Sequence, residues 1–365
     1  MATLWQKVKL LRGLLGDGAA HTDPFYVTVD TTRRCNLTCV GCRYHSTALS
    51  NPSPGDQAVR DIPFSLFDRL CGELETMTTS NMCLIGEGEP LLHPRIFDII
   101  GRAKAAGLAV DMFSNGTLLD DDNCERLIDS GLDILRVSLW ATSPEEYERN
   151  YRGSDPAWFG KVIDGLKRLS QAKAARGSKL PHVILHQPIT RHNYQSVDAA
   201  AELAHEAGCN SISISPLKTR RGEIAADALS PEQEAELRES LADVRTRLKA
   251  LGLGTNFDNA LRRYEVGEAV WEKLPCYIAW LYARIKVDGT VLPCNPCDHT
   301  LGNINDSTLR EIWNAPAFRE FRRKARTRRG LAAMHAECDC GFCCHVCDNV
   351  RVHRIFKWIP SFGRT

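Results

Sequence analysis

The chain of 365 residues lacks long hydrophobic runs and an excess of either charge. Its apolar N-terminal stretch is interrupted by Lys7, Lys9 and Arg12, so we predict neither a secretory signal peptide nor a membrane-spanning helix. Lys and Arg number 46 and Asp and Glu number 45, a balance that gives no long-range attraction for a nucleic acid. We therefore expect a cytoplasmic protein without a nucleic-acid partner.

Residues 1–24 precede the first predicted strand and are expected to form an amphipathic helix. Apolar side chains lie on one helical face, namely Leu4, Trp5, Val8, Leu11, Leu14 and Leu15. The favoured interpretation is a helix that packs on the rest of the protein through this face. The alternative is a helix that associates weakly with a membrane surface.

Cysteine, by contrast, is abundant. The chain has 15 cysteines, and eight of them follow residue 275. A disulfide framework would distribute its cysteines over the whole chain, whereas clusters of this kind favour metal binding.

The segment from 25 to about 218 alternates short apolar runs with helical patterns. Six strands are predicted, at Phe25–Asp30, Met82–Gly86, Leu108–Phe113, Ile134–Leu139, His182–Ile189 and Ser211–Ser215. Alternation of this kind predicts a parallel sheet with right-handed crossovers. Six units are fewer than the eight of a full TIM barrel, so the fold class is α/β with a partial (βα)6 barrel over residues 25–250. A small Cys-rich α+β domain at 251–350 and a basic, aromatic tail at 351–365 follow.

Three cysteines, Cys35, Cys39 and Cys42, follow the first predicted strand at C-x3-C-x2-C spacing. Three thiolates can hold three corners of a [4Fe–4S] cube, which leaves the fourth iron free for another ligand. The alternative is a zinc site, although zinc usually requires four ligands.

This motif resembles that of the radical S-adenosylmethionine (radical SAM) enzymes. The resemblance implies that the free iron binds S-adenosylmethionine (AdoMet), whose reductive cleavage gives a 5′-deoxyadenosyl radical. One departure is Gly41, which stands where the family usually has an aromatic residue. Tyr44 is our candidate for a replacement.

Further unusual residues follow the next strands, at the carboxyl ends where barrel enzymes carry their chemistry. The resemblance assigns AdoMet binding to Gly86, Gly88, Glu89, Pro90, Ser114, Asn115 and Ser138. The first turn resembles the family's GGEP element, with Glu87 in place of its first glycine. A glycine at such a position lets a ligand approach the backbone.

The C-terminal cysteines surround a predicted β-hairpin with an Asp288-Gly289 turn. Its flanking residues, Cys276 and Cys294, are expected to lie near each other. The segment resembles the SPASM or twitch extension of radical SAM enzymes, which implies one auxiliary [4Fe–4S] cluster, or two. The candidate ligands are Cys276, Cys294, Cys340, Cys343, Cys344 and Cys347. Zinc bound by two C-x2-C pairs is the alternative.

The resemblance predicts an oxidoreductase that abstracts a hydrogen atom from a substrate C–H, with flavodoxin or ferredoxin as electron donor. Only about 24 residues precede the first strand, too few for a leader-peptide-binding domain. This favours a small molecule such as a sugar or alcohol, which would be dehydrogenated or epimerised. The alternatives are a peptide-modifying maturase and a non-catalytic metal-binding scaffold. No catalytic acid or base is assigned.

Overall fold

The computed structural model describes residues 4–49, 58–217, 222–266, 274–295, 297–334, 337–338 and 343–356. The strands are β1 (Tyr26–Asp30), β2 (Asn81–Ile85), β3 (Ala109–Ser114), β4 (Ile134–Ser138), β5 (His182–Ile189), β6 (Ser211–Pro216), β7 (Gly254–Thr255), β8 (Tyr282–Ile285), β9 (Thr290–Leu292) and β10 (Gly302–Asn303). The helices are α1 (Leu4–Leu15), α2 (Phe64–Leu74), α3 (Ile96–Ala105), α4 (Asp121–Asp129), α5 (Pro144–Asn150), α6 (Trp158–Ala175), α7 (Val197–Glu206), α8 (Gly222–Ala225), α9 (Pro231–Ala250), α10 (Phe257–Val266), α11 (Leu309–Trp313), α12 (Pro316–Ala325), α13 (Arg328–Met334) and α14 (Val346–Phe356).

One sheet contains all ten described strands, in the order β10-β9-β8-β1-β2-β3-β4-β5-β6-β7. Strands β1 to β6 pair in sequence order and in parallel. This confirms the predicted α/β class with a six-strand parallel core. The carboxyl ends of these strands meet at one edge, so the loops that follow them come together there.

The crossover helices bury one stripe of side chains against the sheet. In α2, Leu66, Leu70 and Leu74 recur every four residues and are all buried. That spacing places them on one helical face, which covers the sheet while the opposite face meets solvent.

The C-terminal hairpin extends the same sheet. Strands β8 and β9 are antiparallel, as predicted, and Gly289 in their turn has a φ of +83°, which favours glycine. Strand β8 pairs in parallel with β1. The hairpin therefore lies directly beside the strand that leads to the first cysteine motif. A domain boundary at residue 250 stays a prediction.

Helix α1 packs on the protein through only part of the predicted face, where Leu14 is buried and Leu11 is partly buried. Leu10 and Leu14 are buried, whereas Trp5, Val8 and Leu15 are exposed. The prediction was wrong for these three because leucines occur on both sides of the helix. None of the described helices has the length and apolar character needed to cross a bilayer. Of the predicted tail, residues 357–365 lie outside the described residues.

Candidate active site

The first cysteine loop leaves β1 at the carboxyl edge of the sheet. Cys35, Cys39 and Cys42 are all partly buried there. Burial raises the pKa of Cys35 to about 11, and the nearby Cys42 contributes to that rise. Burial also raises the pKa of Cys39, again with a contribution from Cys42. The thiols thus lie near one another in an environment that disfavours free thiolates, and a bound cation would offset that cost.

Backbone groups hold this loop in place. The amides of Tyr44 and His45 both donate to Cys42 Sγ, at 3.4 and 3.3 Å. The amide of Val40 donates to the carbonyl of Asn150 at 2.9 Å, and Cys39 forms a β-bridge with Tyr151. The last residue of α5 and the residue that follows it therefore support the cysteine loop. Sequence analysis missed this role, for which the run Tyr151-Arg152-Gly153 after the fourth strand was the available signal.

The predicted glycine turn packs directly on the cysteine loop. A Cβ on Gly88 would lie 2.1 Å from the carbonyl oxygen of Arg34, and one on Gly86 would lie 2.8 Å from that of Thr32. The Glu89 amide donates to the same Arg34 carbonyl at 2.7 Å. Pro90 begins a short 3-10 segment, Pro90–Leu92. No side chain larger than hydrogen fits at either glycine, as expected where backbones converge around a ligand.

Glu89 joins three loops at the sheet edge. Its buried carboxylate accepts from Ser114 Oγ at 2.8 Å and from the Asn115 amide at 2.6 Å. Burial raises the pKa of Glu89 to about 7, and these hydrogen bonds only partly oppose the rise. Asn115 also donates to Asn36 Oδ1 at 2.8 Å, which ties this network to the cysteine loop. Asn36 is a contributor that sequence analysis missed.

Ser138 ends β4 at the same edge, where its carbonyl accepts from the Tyr151 hydroxyl at 3.2 Å. The seven residues assigned to AdoMet binding thus all lie on loops or strand ends at the carboxyl edge of the sheet. Whether they contact AdoMet stays a prediction.

The space beside Gly41 is filled by Trp140. A Cβ on Gly41 would lie 2.8 Å from the Trp140 ring and 2.6 Å from Leu217 Cδ1. Tyr44 instead directs its hydroxyl to Arg284, which donates to it at 2.8 Å. The expectation that Tyr44 replaces the missing aromatic finds no support at Gly41, because the nearest ring to that position belongs to Trp140. Trp140, remote in sequence, is the aromatic residue against Gly41.

Two buried ion pairs connect this edge to the C-terminal hairpin. Arg284 of β8 contacts Asp30 of β1 at 2.7 Å. Glu87 contacts Arg33 at 2.7 Å and Lys286 at 2.9 Å. Glu87 is the residue that departs from the glycine motif. Its contact with Lys286 gives it a structural role. Charged residues inside predicted strands were the available signal, and sequence analysis did not use it.

Four of the predicted C-terminal ligands lie together. A hydrogen bond to Cys344 raises the pKa of Cys343, and burial and the nearby Cys294 and Cys276 add to the rise. Cys347 donates instead to the Asn259 carbonyl at 3.3 Å. Cys340 lies outside the described residues.

Two further cysteines, Cys297 and Cys338, are joined by a disulfide bond and lie opposite each other in a β-bridge. Neither is among the six candidate cluster ligands, although Cys297 forms a C-x2-C pair with Cys294 in the zinc alternative. The bond departs from the expectation that the C-terminal cysteines serve metal binding rather than disulfides, because the β-bridge brings these two residues into contact.

Within the part of the chain that the structure describes, no three His, Cys, Asp or Glu side chains converge on one position for a single ion. A tetrahedral zinc ion requires such convergence, whereas an iron–sulfur cube takes one thiolate per iron. Cys35, Cys39 and Cys42 lie in one loop, and thiolates are the ligands that an iron–sulfur cluster takes, so this donor set fits such a cluster.

A cavity of about 690 Å³ lies in the barrel interior. Its walls are mostly apolar, with Phe113 and Tyr282 among them, and include the ion pair of Asp111 and Arg136, 2.9 Å apart. Helices α1 and α14 border its far side. The cavity is large enough for an amino-acid side chain or a small molecule.

Comparison with known proteins gives two family matches. Residues 29–186 match the radical SAM superfamily, and residues 276–348 match the SPASM iron–sulfur cluster-binding domain. The chain is 27% identical over 314 residues to an AdoMet-dependent heme synthase of Methanosarcina barkeri, covering 82% of this chain and 85% of the relative. It is 26% identical over 318 residues to a PqqA peptide cyclase of Gluconobacter oxydans, covering 82% and 79%.

The fold is similar to that of Streptococcus suis SuiB in its crystal structure with the precursor peptide SuiA. The TM-score is 0.67 at 16% sequence identity, with 98% of this chain and 78% of the other covered. The match extends over both cysteine regions of the described structure.

Proposed function

Because this chain belongs to the radical SAM superfamily and carries a C-terminal SPASM domain, we propose that it is an enzyme that modifies a C–H group of a peptide. The observation that carries the substrate class is the similarity to a PqqA peptide cyclase along 82% of the chain. The SuiB structure with its precursor peptide is consistent with it in fold. The expectation of a sugar or alcohol substrate finds less support, and the peptide-modifying alternative is preferred.

A radical SAM and SPASM domain pair carries a [4Fe–4S] cluster with AdoMet and auxiliary iron–sulfur clusters. When bound, these cofactors supply a 5′-deoxyadenosyl radical and a path for the electron that the reaction releases or takes up. We assign the first cluster to Cys35, Cys39 and Cys42. An auxiliary cluster is assigned to Cys276, Cys294, Cys343 and Cys344.

The protein's own residues position the reactants. Gly86 and Gly88 let their turn pack closely on the cysteine loop, which places the turn's backbone beside the cluster for AdoMet, and Glu89 in its ionised form accepts from the AdoMet ammonium. The apolar walls of the cavity exclude water from a reactive radical. The Asp111–Arg136 pair offers both a donor and an acceptor to the backbone or a polar side chain of a peptide.

Flavodoxin or ferredoxin remains the electron donor that we propose, in a reducing cytoplasm. These assignments follow from the redox chemistry that the cofactors require.

The test supplies the reconstituted enzyme with AdoMet, a low-potential reductant and the short peptides encoded beside its gene. We expect peptide-dependent 5′-deoxyadenosine and a change in peptide mass, with deuterium transferred from a labelled peptide to 5′-deoxyadenosine. A small alcohol that stimulates 5′-deoxyadenosine formation where every such peptide fails would instead support the small-molecule hypothesis.

A further inference from the structure

The exposed large apolar side chains of the described residues are concentrated on two helices. Five such side chains are exposed, and four of them belong to α1 or α14, namely Trp5, Val8, Leu15 and Ile355, with exposed fractions of 66%, 46%, 47% and 51%. Isolated exposed apolar residues are normal on protein surfaces. Their concentration on two elements indicates a binding surface.

On α1, the exposed residues form one stripe. Trp5, Val8, Arg12 and Leu15 are separated by three, four and three residues and therefore share a helical face. The buried Leu10 and Leu14 lie on the opposite side. Helix α1 has three basic residues and no acidic one. Arg12 lies within the stripe and Lys9 Nζ is 5.8 Å from the centre of the Trp5 ring, so the stripe is both apolar and positively charged.

The end of α14 has the same combination. Ile355 is exposed, as are the neighbouring Arg351 and Arg354. Both helices border the 690 Å³ cavity, α1 with Lys7 and α14 with Arg351 and Ile355. Because these lining residues are exposed, they mark an opening of the cavity. The exposed stripe of α1 lies on the opposite side of the helix from Leu10, which also lines the cavity, so the stripe is not part of the cavity wall.

We propose that the α1 stripe, formed by Trp5, Val8, Arg12 and Leu15, docks on an anionic lipid membrane. Tryptophan and aliphatic side chains insert at the level of the lipid headgroups, while Lys and Arg are attracted to anionic lipids. A purely apolar protein partner would not require this positive charge.

The test is co-sedimentation of the full-length reconstituted enzyme with vesicles of phosphatidylcholine, with and without phosphatidylglycerol. We expect binding to the anionic vesicles alone. Lys9→Glu/Arg12→Glu is expected to weaken that binding at least about tenfold, since each basic residue near the surface adds to the attraction. Trp5→Ser/Val8→Ser is expected to weaken it about tenfold through lost apolar burial.

Matched controls lie elsewhere on the chain. Leu180→Ser removes the fifth exposed apolar side chain, and Arg238→Glu/Lys249→Glu makes the same charge change on exposed positions of α9. Neither control should change vesicle binding. Retained 5′-deoxyadenosine formation in every variant would show that the fold and the cofactor site are intact. A loss of vesicle binding then bears on the membrane proposal alone, and the peptide proposal is tested by its own assay.

Three results would overturn the proposal. The first is an equal loss in the α9 charge variant, which indicates nonspecific attraction. The second is binding only after removal of residues 357–365, which identifies that segment as the occupant of the surface. The third is a dimer that Trp5→Ser/Val8→Ser converts to a monomer, which identifies a second copy of the chain.

Discussion

The two cysteine regions differ in how far apart in sequence their cysteines and the supporting residues lie. Cys35, Cys39 and Cys42 lie within one loop, and the turns that support it follow neighbouring strands of one sheet. Cys276, Cys294 and Cys343 are far apart in sequence and are brought near one another by the hairpin of β8 and β9 and by the chain that follows it. The first region is specified by a contiguous motif, whereas the second depends on tertiary contacts. Four predictions test that difference, from the largest expected effect to the smallest.

The buried Asp30–Arg284 pair is the strongest link between the regions. Arg284→Met leaves the Asp30 carboxylate buried and unpaired, which we expect to destabilise the protein by about 3–5 kcal/mol. Urea unfolding measures the loss. The double variant Asp30→Asn/Arg284→Met should recover much of it, because no charge is then left without a partner. A loss in the single variant below about 1 kcal/mol would contradict the proposed link.

Gly88→Ala tests the local support of the first region. The new Cβ would overlap the Arg34 carbonyl, so the turn must move, at a cost of about 1–3 kcal/mol. We expect AdoMet affinity of the reconstituted enzyme to fall by about ten- to a hundredfold. Gly101→Ala in α3 is the control, since nothing lies within 4 Å of its Cβ position. Equal affinities in the two variants would argue against a tight turn.

Glu89 predicts a pH dependence confined to the first region. Its pKa of about 7 means that the carboxylate, the form that accepts from an ammonium group, is a minor species at pH 6 and the major one at pH 8. AdoMet affinity should therefore rise about tenfold over this range, following the ionised fraction. Binding calorimetry measures the slope. Glu89→Gln should lack it, and the same slope in both proteins would refute the role of Glu89.

The Arg43–Asp298 pair also joins the two regions, but at the surface. Its atoms are 2.7 Å apart while both side chains remain partly exposed. Asp298→Ala should cost less than about 1 kcal/mol, because solvent screens such pairs. Comparison with Arg284→Met in the same unfolding assay isolates the effect of burial. A loss of unfolding free energy as large as that of Arg284→Met would show that the exposure of an ion pair does not predict its contribution to stability in this protein.

Much of the barrel was predictable from sequence because the alternation of apolar runs and helical patterns is visible within short stretches of the chain. All six predicted barrel strands agree with observed ones within one residue at each end, since apolar runs and turn residues mark both ends. The matches to the radical SAM superfamily and to the SPASM domain were also predictable, because short spacings between cysteines indicate both.

What could not be predicted depends on contacts between distant residues. The motif around Gly41 does not reveal that Trp140 fills the adjacent space. The leucines of α1 occur on both sides, so periodicity alone could not decide which face is buried. Likewise, the disulfide between Cys297 and Cys338 follows from a β-bridge and not from their spacing.

The most direct test of the account compares the triple variant Cys35→Ala/Cys39→Ala/Cys42→Ala with wild type after anaerobic reconstitution. The control is Cys71→Ala/Cys124→Ala/Cys209→Ala, which removes three buried cysteines outside both regions. We predict that the site variant loses about four irons per chain and all AdoMet cleavage. It should keep the iron of its C-terminal region, while the control keeps both. A site variant that retains all of its iron and still cleaves AdoMet would contradict the central assignment.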